Sequence, residues 1–143
     1  MARASKKITR ILQIGMHDQV GGVENFLMNY YQNIDKKQIQ FDFVCPYKKL
    51  CYEEKIKQLG GKIYKIPSPK NRIFSYYRSL KKIIHDNGYN IIHINMLSAA
   101  NILPIIVAKK CGVKKIILHS HSSSSPNTIL RKFLNKFNRI FLK

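Results

Sequence analysis

A few residues in this sequence have the type and spacing to act together on a phosphorylated or hydroxyl-bearing ligand. The glycine pair Gly21-Gly22 follows an apolar run at residues 8–14 and precedes a helix-like run, GVENFLMNYYQNI. Glycines at such a junction let backbone N–H groups approach a ligand. The first helical turn adds unpaired donors and the positive end of the helix dipole, a combination that attracts an anion such as a phosphate. The spacing is not G-x-G-x-x-G, so dinucleotide binding gains no support. His17 and Glu24 flank the pair, and a carboxylate at position 24 suits the helix dipole. Asn95 closes the run NIIHIN, and His119 and His121 bracket one serine after KKIIL. Plain turn chemistry for the glycines and helix capping for Asn95 compete with these readings. His93, inside its apolar run, reads as a hydrogen-bonded core histidine. The H-x-H pair has no third ligand or nearby carboxylate, so no metal site is expected.

These residues need elements to bring them together. After the first strand and helix, IQFDFVC at 39–45 reads as a second strand with Phe41, Phe43 and Cys45 on one face, interrupted by Pro46. Residues 52–59 read as a short helix with Glu53 and Glu54 in its first turn and Gly60-Gly61 as its stop. Residues 62–66 make a third strand, closed by the turn residues PSPKN. Over 72–87, Ile73, Tyr76, Tyr77, Leu80, Ile83 and Ile84 recur at helical spacing, and Gly88 ends the helix. Residues 90–95 predict a fourth strand, apolar on both faces. Residues 98–111 predict a helix in which Pro104 is tolerable only near the first turn or at a kink. Residues 114–118 make a fifth strand, placing His119 and His121 just past its end. Alternating strands and helices imply a single α/β domain, a Rossmann-like parallel sheet with helices on both faces. Ligands of such sheets gather at the carboxyl ends of the strands. His17, Gly21 and Gly22 follow the first strand there, Asn95 the fourth, and His119 and His121 the fifth.

The 143 residues carry 26 Lys+Arg against 7 Asp+Glu, a formal net charge of +19. Such a field draws polyanions: nucleic acid, anionic lipid headgroups or phosphorylated substrates. Cys45, Cys51 and Cys111 contain no C-x-x-C pair and are odd in number, which argues against a disulfide framework or zinc site and fits a reducing cytoplasm. Cys45 and Cys111 read as small core hydrophobes. Residues 1–7 read as a basic tail without a secretory apolar region. Residues 91–108, broken by His93, Asn95, Ser98, Asn101 and Pro104, read as a buried strand and helix rather than a membrane span. The segment 127–143 differs in character. Ile129, Leu130, Phe133, Leu134, Phe137, Ile140 and Phe141 lie on one helical face, with Arg131, Lys132, Lys136, Arg139 and Lys143 on the rest. It is expected to be a basic amphipathic helix, packed on the sheet or lying in an anionic membrane interface.

Taken in order, RILQIGM, GGVENFLMNYY, IQFDFVC, YEEKIKQLGGKIYKIP, NIIHIN with SAANI, and KKIILHSHSSSS resemble one family over residues 8–143. The chain resembles the N-terminal, acceptor-side half of bacterial GT-B glycosyltransferases of the group-1 (family four) type, which build capsular and exopolysaccharides. That resemblance implies a Rossmann-like domain at 8–126. It also implies transfer of a sugar, with retention, from a nucleotide sugar such as a UDP-sugar to a lipid-linked or saccharide acceptor, without a further cofactor. It implies that Gly21 and Gly22 approach the donor diphosphate and that His121 lies near the reacting sugar, with His119 the lesser candidate. Glu24 is a cap or ribose-side contact; His17 and Asn95 are substrate-side candidates.

In this family a second Rossmann-like domain holds most of the donor and carries E-x7-E. The only glutamates here are Glu24, Glu53 and Glu54. The expectation is therefore one wall of a cleft (a truncation, a split subunit or an excised domain), inactive alone and peripheral on the cytoplasmic face of the membrane. The competing class is a non-catalytic polyanion-binding module. Nucleic acid is the weaker partner, because no helix-turn-helix, RRM or KH pattern is present.

Overall fold

A computed structural model describes residues 7–96 and 102–120 of the chain. Among these described residues nine elements alternate: β1 (Thr9–Ile14), α1 (Gly22–Asn33), β2 (Ile39–Cys45), α2 (Glu53–Gln58), β3 (Ile63–Lys65), α3 (Ile73–Asn87), β4 (Ile91–Met96), α4 (Leu103–Lys110) and β5 (Lys115–Ser120). The five strands form one sheet in the order β3-β2-β1-β4-β5, and every neighbouring pair is parallel. The Rossmann-like α/β arrangement expected above is the one observed.

The two-residue period of the strands divides the core between the two faces. On one side Leu12, Ile14, Val44, Ile92 and Ile94 pack with Tyr76, Leu80 and Ile84 of α3 and Ile105, Val107 and Ala108 of α4. On the other, Phe41, Phe43 and Cys45 pack with Val23, Leu27, Met28 and Tyr31 of α1 and Ile56 of α2. Helices therefore cover both faces, as right-handed crossovers between parallel strands require. The chain runs outward from β1 to β3 and then returns to β4 beside β1, so the strand order reverses between β1 and β4. In open sheets of this kind, ligands gather at the carboxyl ends of the strands beside such a reversal.

Four local expectations change. Helix α4 begins at Leu103 rather than at 98, which puts Pro104 in the first turn, where its missing N–H costs nothing. Strand β5 runs to Ser120, so His119 lies within the strand, paired with Asn95, rather than past its end. Strand β4 is apolar on one face only: Ile92 and Ile94 enter the core, while Gln13 of β1 pairs in register with His93. Ile73 is 52% exposed, because the apolar stripe of α3 overruns the core by one turn and Tyr76 is its first buried member. Cys45 is fully buried as expected, whereas Cys111 lies half-buried at the rim of the core. No helix among the described residues is long and apolar enough to cross a membrane. His121 and the segment 127–143 lie outside the described residues, as do residues 1–6.

Candidate functional site

Gly15, directly after β1, has a φ of +106°, and a Cβ on it would stand 2.1 Å from the backbone oxygen of Asn95. Only glycine permits this approach of β1 to β4, and the approach starts the loop that follows. Backbone and ring contacts then hold His17, whose Nδ1 also lies 3.8 Å from Glu24 Oε1. Its N–H donates to Glu24 Oε1 at 2.9 Å, its carbonyl accepts from the Cys51 N–H at 3.4 Å, and its ring meets the Tyr47 ring edge-on at 5.6 Å. Glu24 is buried, 3% exposed. It lies in the first turn of α1, whose N-cap Gly21 has no side-chain capping bond. The carboxylate thus ties the loop to the helix start instead of capping the helix.

The result is a cleft of about 430 Å³ lined by residues 17–24 and Tyr47. His17, Gly21, Gly22 and Glu24, neighbours in the sequence, all line it. The lining includes Asp18 and Glu24 but no lysine or arginine. The pKa of the Tyr47 hydroxyl is pushed up, first by burial and then by the charges of Asp18 and Glu24. Tyr47 carries no signal in the sequence beyond its place after β2.

A second group lies on β4 and β5. Asn95 is 6% exposed and donates to the Ile14 carbonyl and to Gln13 Oε1, both at 3.4 Å. Its register partner is His119. The His119 ring stacks on His93, with centroids 5.7 Å apart and planes 15° apart. Phe26 of α1 meets His119 edge-on at 4.5 Å. His93, expected as an ordinary core histidine, is half-buried and belongs to this group. The signal for it was alternation: His93 and Asn95 are two residues apart in one strand and so share a face. Gln13 and Phe26 had no comparable signal. Among the described residues no three His, Cys, Asp or Glu side chains are grouped to hold a metal.

Both groups sit at the carboxyl rim of the sheet, joined through the contact between Gly15 and Asn95. Such a site offers backbone donors at a helix start, a buried carboxylate and a row of imidazole and amide groups across the strand-order reversal. In open parallel sheets, ligands gather at this rim.

The sequence matches the family described as Glycosyltransferase Family 4 over residues 20–143. It is also 30% identical over 127 residues to EpsF of Bacillus subtilis (strain 168), whose name carries a provisional assignment as a glycosyltransferase. That alignment covers 87% of this chain and 32% of EpsF, so the chain spans about a third of the length of this curated relative. No solved structure matches the chain at a significant level.

Proposed function

Because this chain belongs to glycosyltransferase family 4, we propose that it forms the acceptor-side wall of a GT-B sugar-transfer cleft. The reaction is transfer of a sugar, with retention at the anomeric carbon, from a nucleotide sugar (a UDP-sugar by preference) to a lipid-linked or saccharide acceptor. The observation that carries this reading is the uncapped start of α1, which opens at Gly21 and Gly22 onto a cleft between the loops that follow β1 and β2. As the bond between sugar and diphosphate breaks, negative charge grows on the leaving phosphate. Backbone N–H groups of the first turn are suited to receive it without reorganising.

Asp18 and Glu24 repel an anion, so the cation that neutralises a diphosphate would come from the opposite wall. That wall is a second Rossmann-like domain, which in this reading holds most of the donor. Glu24 acts by fixing the loop through His17, while Asn95 and His119 border the sugar. His121, next after β5, is the residue assigned to the reacting sugar. The basic segment 127–143 would rest on the anionic cytoplasmic face of the membrane, where a lipid-linked acceptor is found.

The test is transfer of labelled sugar from UDP-sugars to extracted membrane lipids by this chain together with its second Rossmann-like domain, whether that is joined to it or a separate subunit. Transfer is expected, and His121→Ala should abolish most of it without altering the fold. Full activity in that variant removes the role of His121. Absence of transfer from every nucleotide sugar tried removes the reaction.

A further inference from the structure

Six consecutive residues, 70–75, are exposed where the chain enters α3. Two of them are large and apolar: Ile73 is 52% exposed and Phe74 82%. Phe74 lies two residues before buried Tyr76, on the side of the helix away from the core. Arg78 and Lys81 follow it on the same exposed stripe, at the spacing that stacks helical side chains on one face. Lys70 and Arg72 flank it on the loop side. Among the described residues none of these four cations has an ion-pair partner. Residues 55–85 contain nine lysines and arginines and no acid.

We propose that the start of α3 is a contact tip for an anionic lipid bilayer, with Ile73 and Phe74 entering the interface and Lys70, Arg72, Arg78 and Lys81 meeting the headgroups. An apolar pair ringed by unpaired cations complements such a surface on both counts, since it gains from burial in the acyl boundary and from headgroup charge. Nucleic acid would use the cations but leaves aliphatic Ile73 without a role. Because α3 follows β3 of a parallel sheet, its start stands at the same carboxyl rim as the cleft. A bilayer held there would lie on the site's side of the molecule. The proposal rests on neither the sugar-transfer reading nor the segment 127–143.

The sequence has no tryptophan, so Phe74→Trp places a single fluorescent reporter at the tip of the full chain. With phosphatidylglycerol vesicles its emission should move to the blue and be quenched by brominated acyl chains. Phosphatidylcholine vesicles should produce neither effect. Arg72→Gln and Arg78→Gln should each weaken vesicle binding about fivefold, with the circular dichroism spectrum unchanged. Three results overturn the proposal: flotation with anionic vesicles while Trp emission stays that of a solvent-exposed residue, equal response to neutral vesicles, or response to single-stranded RNA but not to vesicles. The first of these would assign membrane attachment to another segment. None of these readouts depends on activity, so failure here leaves the proposed reaction standing, and the reverse holds too.

Discussion

Gly15 and Asn95 meet so closely that a single methyl group cannot be placed between them: a Cβ on Gly15 would stand 2.1 Å from the Asn95 carbonyl oxygen. The obstacle is backbone in a paired central strand, which cannot turn aside as a side chain can. The φ of +106° adds strain for any L-residue. Gly15→Ala should therefore lose about 3 kcal/mol or more of stability, read as a lowered urea midpoint. A variant as stable as the wild type would mean that β1 and β4 do not approach as described.

Gly22 is the opposite case, because a Cβ there meets nothing within 4 Å. Alanine is also the better helix former, so Gly22→Ala should keep or raise stability by up to about 1 kcal/mol. If the backbone at this turn must come up to a donor phosphate, the same methyl stands in the ligand's way. Transfer by the chain together with its second domain should then fall on the order of tenfold or more, with the melting temperature unchanged or higher. Undiminished transfer would show that the glycine serves the turn alone.

Glu24 tests how the loop is held. Its Oε1 accepts the His17 N–H from a buried position, so Glu24→Ala should cost about 1.5 kcal/mol. Glu24→Gln keeps an acceptor oxygen and should cost clearly less. Hydrogen exchange at the His17 amide is the direct measure: fast in the alanine variant, slow in the glutamine variant and the wild type. Equal exchange in all three would leave the carboxylate without a structural role.

The sequence made some of these relationships legible and hid others, for physical reasons. Alternation put Phe41, Phe43 and Cys45 on one face, and they do pack together against α1 and α2. The strand-turn-helix grammar located the cleft, because residues 17–24 are close in the chain and need no distant partner to be recognised. Gly15 was silent: its constraint comes from Asn95, a contact created only when β4 pairs with β1. The surroundings of His93 were hidden for the same reason. Its sequence neighbours are apolar, while its structural neighbours are Gln13 and His119 on other strands. Ile73 fits the helical period of α3, yet a period cannot say where a helix runs past the core it covers.

Away from the cleft, Asp42 supplies a test of what ties the sheet edge together. Its carboxylate is fully buried and accepts from Arg10 Nε at 2.6 Å, from the Lys62 N–H at 2.7 Å and from the Tyr89 hydroxyl. Those donors come from β1, from the residue before β3 and from the turn before β4, so one side chain links three parts of the chain. Burial alone would raise the Asp42 pKa, but the hydrogen bonds from Arg10, Tyr89 and Lys62 outweigh it and hold it below the ordinary carboxylate value. A carboxyl depressed in the folded state stabilises fully above its unfolded pKa, about 3.9. That contribution is lost as the pH falls through the folded value. Asp42→Asn should therefore cost roughly 3 kcal/mol at pH 7 by leaving Arg10 and its neighbours without their anion. The gap between variant and wild type should narrow as the pH drops below about 4. Urea unfolding of both proteins across that range measures it. A gap that stays constant down to pH 2 would mean that the shape of the Asp42 side chain, and not its charge, joins these strands.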